Sequence, residues 1–397
     1  MNLRDFKTVA DRRVALEKER DISLSNIGSF TLDEAIASNR NCENMIGVAQ
    51  VPMGIAGPLK IKDKEYFIPL ATTEGALVAS INRGCKAIMQ SGGALVNSHR
   101  VGTTRGPVFK VASLSENQKF YEFLQSHEKE LADIAEKTSH HLKFKKQSSS
   151  AVGKFRYIRF VFDTQDAMGM NMVTIATEAI VQYIEKETGA YCISVAGNYD
   201  VDKKPAWQNF INNRGIKAWA EVTLSSSVLA KTLKTTAKKV YDVWLAKCMI
   251  GSAMAGSMGF NAQFANVVAA IFLATGQDMA HVSEGSIGMT TCEIVSPVSF
   301  PRRRESMTDG SPIRSGMTEE SLYISIYLPD LMVGTVGGGT GLATQKEALS
   351  ILGVTKSLQL AEVIGAAVLA GEISLLASLS EGTLANAHQK LARGGKR

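Results

Sequence analysis

Four polar residues have side chains and sequence neighbours suited to carbonyl chemistry. Glu74 stands between a strand pattern and a helix pattern in LATTEGALVAS, where its carboxyl group can point into a cleft and give up a proton. Lys203, in the loop GNYDVDKKPAW, offers an ammonium group that can stabilise the oxyanion of a reduced carbonyl. Asp278 ends a long uncharged segment, so its carboxylate is expected to be partly buried and paired with a lysine. His388 can protonate a leaving thiolate near neutral pH.

A second group of residues suits a nucleotide. In DAMGMNM, residues 166–172, a glycine lies between methionines at a predicted helix start, so backbone amides can meet a phosphate while thioethers pack on a flat ring. Gly337, Gly338 and Gly339 allow another backbone segment to approach the same ligand, in a loop that does not match the GxGxxG fingerprint of a Rossmann site. Each of these features alone is weak, because loop lysines are usually solvated and lone histidines are usually structural.

Hydrophobic periodicity predicts the elements that must position these residues. An opening helix is predicted to end near Ile22, and Thr31 is predicted to cap a short helix that begins TLDEAI. Strands are predicted before Glu74 and a helix directly after it. From Arg105 to about Val195 the order strand, polar helix, strand, helix, strand predicts a split βαβ unit inserted on an antiparallel sheet.

The second half of the chain is predicted to be mainly helical. Residues 222–277 read almost wholly as helix, and the uncharged stretch 248–277 is expected to be its buried centre. That stretch is long enough to span a bilayer, but its asparagine and glutamine side chains would face lipid, which argues against a membrane protein. A polar, arginine-rich loop is predicted at 297–318, then strands, and two last helices over 344–392.

Composition narrows the class of protein. With 397 residues, 45% of them hydrophobic, the chain can bury a sizeable core in two or three domains. A net charge of +6 favours acidic ligands, but the basic residues lack interleaved aromatic residues, so nucleic acid is not expected. Five cysteines without a CxxC pair or clustered histidines predict reduced thiols and no metal site. The charged N-terminus has no apolar signal core, so a cytoplasmic protein is expected.

Seven segments, in order along nearly the whole chain, resemble the 3-hydroxy-3-methylglutaryl-coenzyme A reductase family. They are ENMIGVAQVPMGIAGPL, ATTEGALVASINRGCKAI, DAMGMNM, GNYDVDKKP, GSAMAGSMGFNAQFANVVAAIFLATGQD, GTVGGGTGL and AGEISLLASLSEGTLANAH. A chance match to one segment is plausible, but a chance match to seven in sequence is not. The form DAMGMNM is similar to the class that includes the eukaryotic catalytic domains and many archaeal enzymes.

The resemblance implies that 3-hydroxy-3-methylglutaryl-coenzyme A is reduced to mevalonate and coenzyme A by two successive hydride transfers. NADPH is the implied cofactor, with NADH as the alternative, and no metal is implied. Lys203 would stabilise the carbonyl oxygen, Asp278 would tune Lys203 and Glu74, Glu74 would supply a proton, and His388 would protonate the coenzyme A thiolate. The site would form between the two chains of a homodimer, and pairing of dimers into tetramers stays open.

The resemblance also assigns binding residues by motif. The hydroxymethylglutaryl group would contact Arg105, Asn198, Asp202, Lys204 and Asn266. Coenzyme A would lie along Ser80, Asn82, Arg83 and Lys86. The dinucleotide would contact Ser139, His140, Asp166, Met168, Met170, Asn171, Gly337, Gly338, Gly339 and Arg393.

The implied fold is α+β. It has a large, mostly helical substrate domain with a long central helix, and an inserted ferredoxin-like domain, not a Rossmann domain, for the cofactor. The predicted boundaries are a small N-terminal helical region at 1–41, the large domain at 42–105 plus 206–397, the inserted dinucleotide-binding domain at 106–194 and a catalytic loop at 195–205.

Three positions depart from the family pattern. Ala196 and Ala387 stand where serine is common, which removes one substrate hydrogen bond and one neighbour of the histidine. Gln165 stands where glycine is usual before DAMGMNM. Two other functions therefore stay open: a reductase of a different acyl-coenzyme A, for which Ala196 is the best argument, and a coenzyme A-binding protein that has lost catalysis.

A fourth departure concerns the choice of cofactor. His140 follows Ser139 where an arginine would favour the 2′-phosphate of NADPH, so phosphate recognition is expected to be weaker and NADH use stays open. Three lysines are near enough in sequence to replace that arginine: Lys143, Lys145 and Lys146.

Overall fold

The computed structural model describes residues 3–296 and 320–382, which mix helix and strand. The helices are α1 (Val9–Arg20), α2 (Glu34–Arg40), α3 (Leu77–Gln90), α4 (Leu114–Ser126), α5 (Glu128–Glu136), α6 (Met170–Thr188), α7 (Trp207–Asn212), α8 (Ser226–Val228), α9 (Ala237–Val243), α10 (Ser252–Met254), α11 (Phe264–Thr275), α12 (Val282–Gly285), α13 (Ala343–Leu352) and α14 (Ser357–Ser380). The strands are β1 (Met53–Ile61), β2 (Lys64–Ala71), β3 (Leu95–Arg105), β4 (Val108–Lys110), β5 (Lys143–Val152), β6 (Phe155–Asp163), β7 (Tyr191–Ser194), β8 (Arg214–Leu224), β9 (Gly259–Phe260), β10 (Gly288–Val295) and β11 (Ser321–Leu331). Turns of 3₁₀ helix cover Leu3–Asp5, Met279–His281 and Gly338–Gly341, and π-helical segments cover Leu229–Leu233 and Trp244–Gly251.

A nine-stranded sheet runs through the described part of the chain. Its order is β7-β4-β6-β3-β8-β11-β10-β9, with β5 paired to the free edge of β6, while β1 and β2 form a separate hairpin. All neighbours in this sheet are antiparallel except the short pair β9 and β10. Strand β3 joins the two parts of this sheet, because residues 95–102 pair with β8 and residues 103–105 pair with β6.

The segment between β4 and β7 follows the predicted alternation of strands and helices. Its strands lie in the order β7-β4-β6-β5, with α4 and α5 connecting β4 to β5 and α6 connecting β6 to β7. Two details were not predicted. The polar helix is split into α4 and α5, and β5 is an additional edge strand. The sequence of β5, KFKKQSSSAV, leaves most side chains exposed, so hydrophobic periodicity does not reveal it.

The prediction that residues 222–277 are almost wholly helical is wrong. Strand β8 continues to Leu224 with alternating burial, and helical segments then extend to Met254 with an interruption at Lys234. The chain leaves helix again before β9 and re-enters it at Phe264. The glycine- and serine-rich sequence GSMG explains this break, because both residue types favour turns over helix interiors.

The long buried helix is α14 rather than the predicted stretch 248–277. It packs against α3, α11 and the sheet, and most of its residues are buried. Helix α3 crosses α14 closely, because a Cβ at Gly84 would lie 1.9 Å from the carbonyl oxygen of Ala370. Among the described residues, α14 is the one helix with the length and composition of a membrane span, and 78% of its most apolar 18 residues are buried inside the protein.

The N-terminal region forms a small cluster of its own. Val9, Ala37 and Met45 are buried together, and Leu342 packs against them. Helix α2 is capped by Asp33, not by Thr31 as predicted, because the Asp33 carboxylate accepts a hydrogen bond from the Ile36 amide at 3.0 Å. The predicted loop at 297–318 and the end of the last predicted helix lie outside the described residues.

Candidate active site

Lys203 and Asp278 form an ion pair at the centre of the site. The Nζ of Lys203 lies 2.7 Å from Oδ2 of Asp278, and both side chains are partly exposed. Partial burial raises the pKa of Asp278, but hydrogen bonds from Lys203 and from the Ala280 amide outweigh it, so the pKa lies below its ordinary value. Asp278 therefore stays ionised and holds the ammonium group in place.

The end of α11 determines where Asp278 lies. The helix stops at Gly276, which has a left-handed φ of 72°, and Asp278 then caps the following 3₁₀ turn by accepting from the Ala280 amide at 3.0 Å. The buried side chain of Gln277 exchanges two hydrogen bonds with the backbone of Gly334, at 2.9 and 3.0 Å. This contact fixes the Asp278 turn against the chain that follows β11.

The loop that carries Lys203 has an unusual backbone. Asn198, Val201 and Lys203 have φ values of 63°, 53° and 59°, which residues other than glycine adopt at a cost in energy. Ion pairs hold the loop in this form, since Asp202 lies 2.9 Å from Arg214 and 3.7 Å from Arg105. The predicted substrate residue Lys204 donates from its Nζ to the carbonyl oxygen of Asp202 at 3.0 Å.

A buried set of charges lies behind this loop. Arg214 is fully buried and contacts Glu284 at 2.5 Å, and Glu284 also contacts His281 through its Oε1 and the ring Nδ1. His281, Glu284 and Asp330 are all fully buried. Burial raises the pKa of Glu284 to about 7 and raises that of Asp330 well above its ordinary value, whereas burial and the Arg214 charge lower the pKa of His281 to about 4.

The ligand atoms of Asp202, His281 and Glu284 lie within 4.8 Å of one another, which is close enough for a metal ion. Arg214, however, donates to both carboxylates, so its guanidinium group already supplies the positive charge. We therefore assign no metal to these three residues.

A cavity of about 890 Å³ opens beside Lys203 and Asp278. It is lined by most of the predicted dinucleotide residues: Ser139, Met168, Met170, Asn171, Gly337, Gly338 and Gly339. The start of α6 and the glycine loop thus face one space, as the sequence predicts. Asn41, Thr340 and Gln345 also line it and were not predicted.

Two predicted dinucleotide residues do not face this cavity. The carboxylate of Asp166 accepts hydrogen bonds from Lys356 Nζ and from the Ser357 amide, both at 2.9 Å, so it anchors the start of α14. Its pKa is lowered, because these bonds outweigh the effect of burial. His140 is exposed and does not line the cavity. Gln165, at the position where glycine is usual, has a left-handed φ of 55°.

Glu74 lies outside the cavity beside Lys203 and Asp278. It is exposed, its Oε1 accepts from Asn266 Nδ2 at 3.4 Å, and it lines a separate cavity of about 370 Å³ together with Asn82. Asn266 is in the first turn of α11 and Asp278 follows the last turn. Thr275 is nine positions after Asn266 in this helix, which at a rise of 1.5 Å per residue is about 13.5 Å. Within one chain, Glu74 and Asn266 are therefore at the opposite end of α11 from Lys203 and Asp278.

The remaining predicted residues lie either on helices or in the C-terminal segment outside the described residues. Ser80 and Arg83 donate to Ser374 on α14, each at 3.0 Å, so their polar atoms face the protein interior. Asn82 accepts from the Gly57 amide at 3.0 Å, and Lys86 is exposed. His388, Ala387 and Arg393 lie outside the described residues.

Comparison with known proteins identifies the family to which the chain belongs. The family model described as hydroxymethylglutaryl-coenzyme A reductase matches residues 8–393. The chain belongs to the hydroxymethylglutaryl-coenzyme A reductase family. It is 45% identical to the 3-hydroxy-3-methylglutaryl-coenzyme A reductase of Methanothermobacter thermautotrophicus, over 98% of this chain and 94% of that protein. It is 38% identical to reductase 1 of Hevea brasiliensis, over 98% of this chain and 66% of that protein.

Solved structures share the fold. The class II reductase of Streptococcus pneumoniae bound to NADPH aligns with a TM-score of 0.68 at 18% identity, over 94% of this chain and 97% of that chain. This likeness supports the mixed α and β architecture found in this member of the hydroxymethylglutaryl-coenzyme A reductase family.

The buried charged residues behind this reductase site were not identified from the sequence. Arg214, His281, Glu284 and Asp330 were not singled out. One of them carried a visible signal: Asp330 lies in the apolar strand sequence YISIYLPDL, where a charged residue needs a buried partner. Its partners come from distant segments, and spacing alone does not identify them.

Proposed function

We propose that this chain reduces 3-hydroxy-3-methylglutaryl-coenzyme A to mevalonate and coenzyme A by two successive hydride transfers. One observation carries the proposal: an ammonium group held 2.7 Å from a carboxylate stands on the wall of a cavity of about 890 Å³. The same cavity is lined by the DAMGMNM helix start and the glycine loop. An oxyanion stabiliser beside a nucleotide-sized space is what carbonyl reduction requires.

The cavity suits a nicotinamide cofactor, with NADPH preferred and NADH as the alternative. The backbone at Gly169 and Met170 opens α6 toward the cavity, where amides can meet a phosphate, and the thioethers of Met168 and Met172 offer an apolar wall. The cofactor, when bound, supplies the hydride. The NADPH named for the similar Streptococcus pneumoniae enzyme supports this choice.

The residues near the expected 2′-phosphate leave the cofactor preference to experiment. Ser139 lines the cavity, but Lys143 pairs with Glu136 at 2.6 Å and Lys145 donates to the carbonyl oxygen of Arg100 at 3.0 Å. Two of the three lysines that can replace the usual arginine therefore already have partners. We expect a weaker preference for NADPH than an arginine at position 140 would give.

The roles of the central residues follow from their contacts. Lys203 donates a hydrogen bond to the carbonyl oxygen as that oxygen becomes negative, and the ionised Asp278 keeps the ammonium group oriented. Arg105 pairs with Asp200 and Asp202, and we propose that its guanidinium group also binds the carboxylate of the substrate. Asn198, Asp202 and Lys204 belong to the same loop and are proposed to bind the hydroxymethylglutaryl group with it.

Glu74 and Asn266 belong to the same reaction in our proposal, although they lie at the far end of α11. We propose that the active site is shared by two chains of a homodimer, so that the Glu74 end of one chain meets the Lys203 end of its partner. Glu74 then supplies the proton for the alcohol oxygen in the second reduction, in which the aldehyde becomes mevalonate. By motif, His388 protonates the coenzyme A thiolate, Arg393 contacts the dinucleotide, and Ser80, Asn82, Arg83 and Lys86 lie along coenzyme A.

The domain division remains part of the proposal. Residues 106–194 are proposed to be an inserted, ferredoxin-like and not Rossmann, dinucleotide-binding domain, and 195–205 the catalytic loop between it and the large domain. The strand order β7-β4-β6-β5 and its antiparallel pairing support the ferredoxin-like assignment. We propose that the protein acts in the cytoplasm.

The test is an assay of the purified protein with 3-hydroxy-3-methylglutaryl-coenzyme A, in which NADPH and NADH oxidation are compared. We expect two cofactors to be oxidised for each thiol released. Lys203→Met should lower kcat by about 10² to 10³-fold, because the oxyanion loses its donor. The matched control is Lys204→Met. In the wild-type protein, the Nζ of Lys204 contacts Asp202 instead of Asp278, so this substitution should mainly raise KM.

Each contrary result has a distinct meaning. An unchanged kcat in Lys203→Met would remove Lys203 from the mechanism. Oxidation with another acyl-coenzyme A thioester alone would favour the altered substrate suggested by Ala196, and coenzyme A binding without any oxidation would favour a protein that has lost catalysis.

A further inference from the structure

The buried charges behind the Lys203–Asp278 pair do not balance. The carboxyl groups that interact there are Asp200, Asp202, Asp278, Glu284 and Asp330, and the permanent cations are Arg105, Arg159, Lys203 and Arg214. Five carboxylates against four cations leave one negative charge in excess, and such a charge is costly to bury. The cluster therefore holds protons on buried carboxyl groups: burial raises the pKa of Asp330 well above its ordinary value and that of Glu284 to about 7.

Glu284 and His281 are placed to share a proton. Both side chains are fully buried, and Nδ1 of the imidazole contacts Oε1 of Glu284. On the other side of the ring, Nε2 has no hydrogen-bond partner among the described residues. It lies 3.7 Å from Oδ2 of Asp278 and 3.9 Å from Oδ1 of Asp202. The pKa of Glu284, raised to about 7 by burial, and that of His281, lowered to about 4, favour a proton on Glu284 and a neutral imidazole.

We propose that Glu284 and His281 form a proton relay that replaces protons at the Lys203–Asp278 pair during carbonyl reduction. The inference rests on the proposed function, because hydride addition makes the carbonyl oxygen negative and the site must then supply a proton. Asp278 is the residue through which the relay reaches the substrate, since it contacts Lys203 at 2.7 Å and faces His281 at 3.7 Å.

Every proton in the relay is accounted for. In the first reduction, the Lys203 ammonium gives a proton to the oxyanion, and the ionised Asp278 takes the Nε2 proton of His281 and passes it to Lys203. As Nε2 of His281 loses its proton to Asp278, Nδ1 takes the carboxyl proton of Glu284, so one N–H bond breaks and one forms on the same ring. Glu284 is left ionised against Arg214.

The same path recharges the relay between turnovers. The Asp278 side chain is 34% exposed, so it can take a proton from water once the product has left. The steps then run in reverse, from Asp278 through His281 to Glu284. The distance from Nε2 to Oδ2 exceeds a hydrogen bond by about 0.7 Å, which a small movement of the Asp278 turn can close.

The relay predicts a specific dependence of kcat on pH. The groups that face Glu284 and His281 are Asp202, Asp278, Asp330, Arg214 and Asn209, and burial raises the pKa of Glu284 to about 7. In the wild-type protein, kcat should fall as the pH rises through about 7, because Glu284 then loses the proton it supplies. Glu284→Gln should lose this fall and lower kcat at acidic pH by roughly tenfold or more.

Asn209→Ala is the matched control. Asn209 Nδ2 donates to Oε2 of the same carboxylate at 3.3 Å but carries no proton along the path, so this variant should keep the fall in kcat near neutral pH. A purely structural role for Glu284 predicts the same behaviour in both variants. A Glu284→Gln protein that keeps the fall overturns the relay, whereas a wild-type protein that oxidises no NADPH contradicts the proposed function itself.

A measurement on the wild-type protein covers the case in which Glu284→Gln does not fold. Nitrogen NMR of the protein labelled in its histidine rings distinguishes the two neutral tautomers. We expect one histidine to move its proton from Nε2 to Nδ1 between about pH 6 and pH 8 without protonation of both nitrogens, and we expect His281→Gln to remove that signal. The relay is refuted if no histidine changes tautomer over this range.

Discussion

The two ends of α11 carry the two halves of the proposed site, and they are built differently. At the C-terminal end, Asp278 is fixed by Lys203, by the adjacent Gln277 clamp and by the buried charges around Arg214. At the N-terminal end, Glu74 is exposed and has one side-chain partner among the described residues, Asn266 at 3.4 Å. One end is organised within the chain, and the other lacks such support.

Although Glu74 has little support, the start of α11 itself is held by α14. The carboxylate of Glu372 on α14 accepts hydrogen bonds from the amides of Ala262 and Gln263, at 2.9 and 2.7 Å, and so fixes the start of α11. Both ends of the helix are therefore fixed, although only one has a preformed ion pair. A second chain is the partner that can complete the exposed end in the proposed dimer.

The largest expected effect is a restoration of activity by mixing two inactive variants. Glu74→Gln and Lys203→Met should each lower activity by about 10²-fold or more. If the site is shared between chains, co-expressed variants should recover about a quarter of wild-type activity, because half of the random dimers are mixed and each mixed dimer has one intact site of two. The measurement is the activity of the co-expressed preparation, and mixed dimers purified from it should show about half of wild-type activity.

The control for this experiment mixes each variant with itself. Both exchanged residues are exposed at the surface, so the folded state should be unaffected. Mixed dimers with no recovered activity would mean that Glu74 and Lys203 act from the same chain, and the comparison between the two ends of α11 would lose its functional meaning.

A smaller effect is expected from a substitution that crowds only the C-terminal end of α11, which Asp278 follows. A Cβ at Gly339 would lie 2.6 Å from the carbonyl oxygen of Gly276, which ends α11. Gly339→Ala should therefore destabilise the protein by about 1 to 3 kcal/mol and raise the KM for NADPH, because the glycine loop must move away from the Asp278 turn. Denaturant unfolding and steady-state kinetics measure the two effects.

Gly341→Ala is the matched control in the same loop. A Cβ at Gly341 meets no atom within 4 Å, so stability and KM should stay near the wild-type values. Equal effects of both substitutions would show that the contact between Gly276 and Gly339 has no special role.

The smallest expected effect is on stability as a function of pH. The folded pKa of Asp278 is lowered, so its contribution to stability is present above the unfolded value of 3.8 and is lost as the pH falls through the folded pKa. The stability difference between wild type and Asp278→Asn should accordingly shrink on acidification. Thermal unfolding across acidic and neutral pH is the measurement.

Asp242→Asn serves as the comparison for this prediction. Asp242 pairs with Lys238 on an exposed helix face, where ion pairs contribute little to stability. A difference in stability that does not change with pH for Asp278→Asn would contradict the stabilising role of its pair with Lys203.

Local sequence predicted the chemical character of the segments that form the candidate site. The uncharged segment before Asp278 indicated a carboxylate with a lysine partner, and Lys203 is that partner. The glycine loop and DAMGMNM indicated two backbone segments around one ligand, and both line one cavity. Helices α3 and α6 lie where periodicity predicted them, because each has an apolar face that repeats with helical spacing.

Only the tertiary structure decided which distant residues meet. Sequence placed Glu74, Lys203 and Asp278 in one reaction, yet α11 holds Glu74 and Asp278 apart within a chain. It also did not reveal that Arg214, Glu284 and Asp330 share one buried volume, because they come from β8, α12 and β11. Periodicity records which face of an element is buried, whereas the partner across that face is determined by the packing of the whole chain.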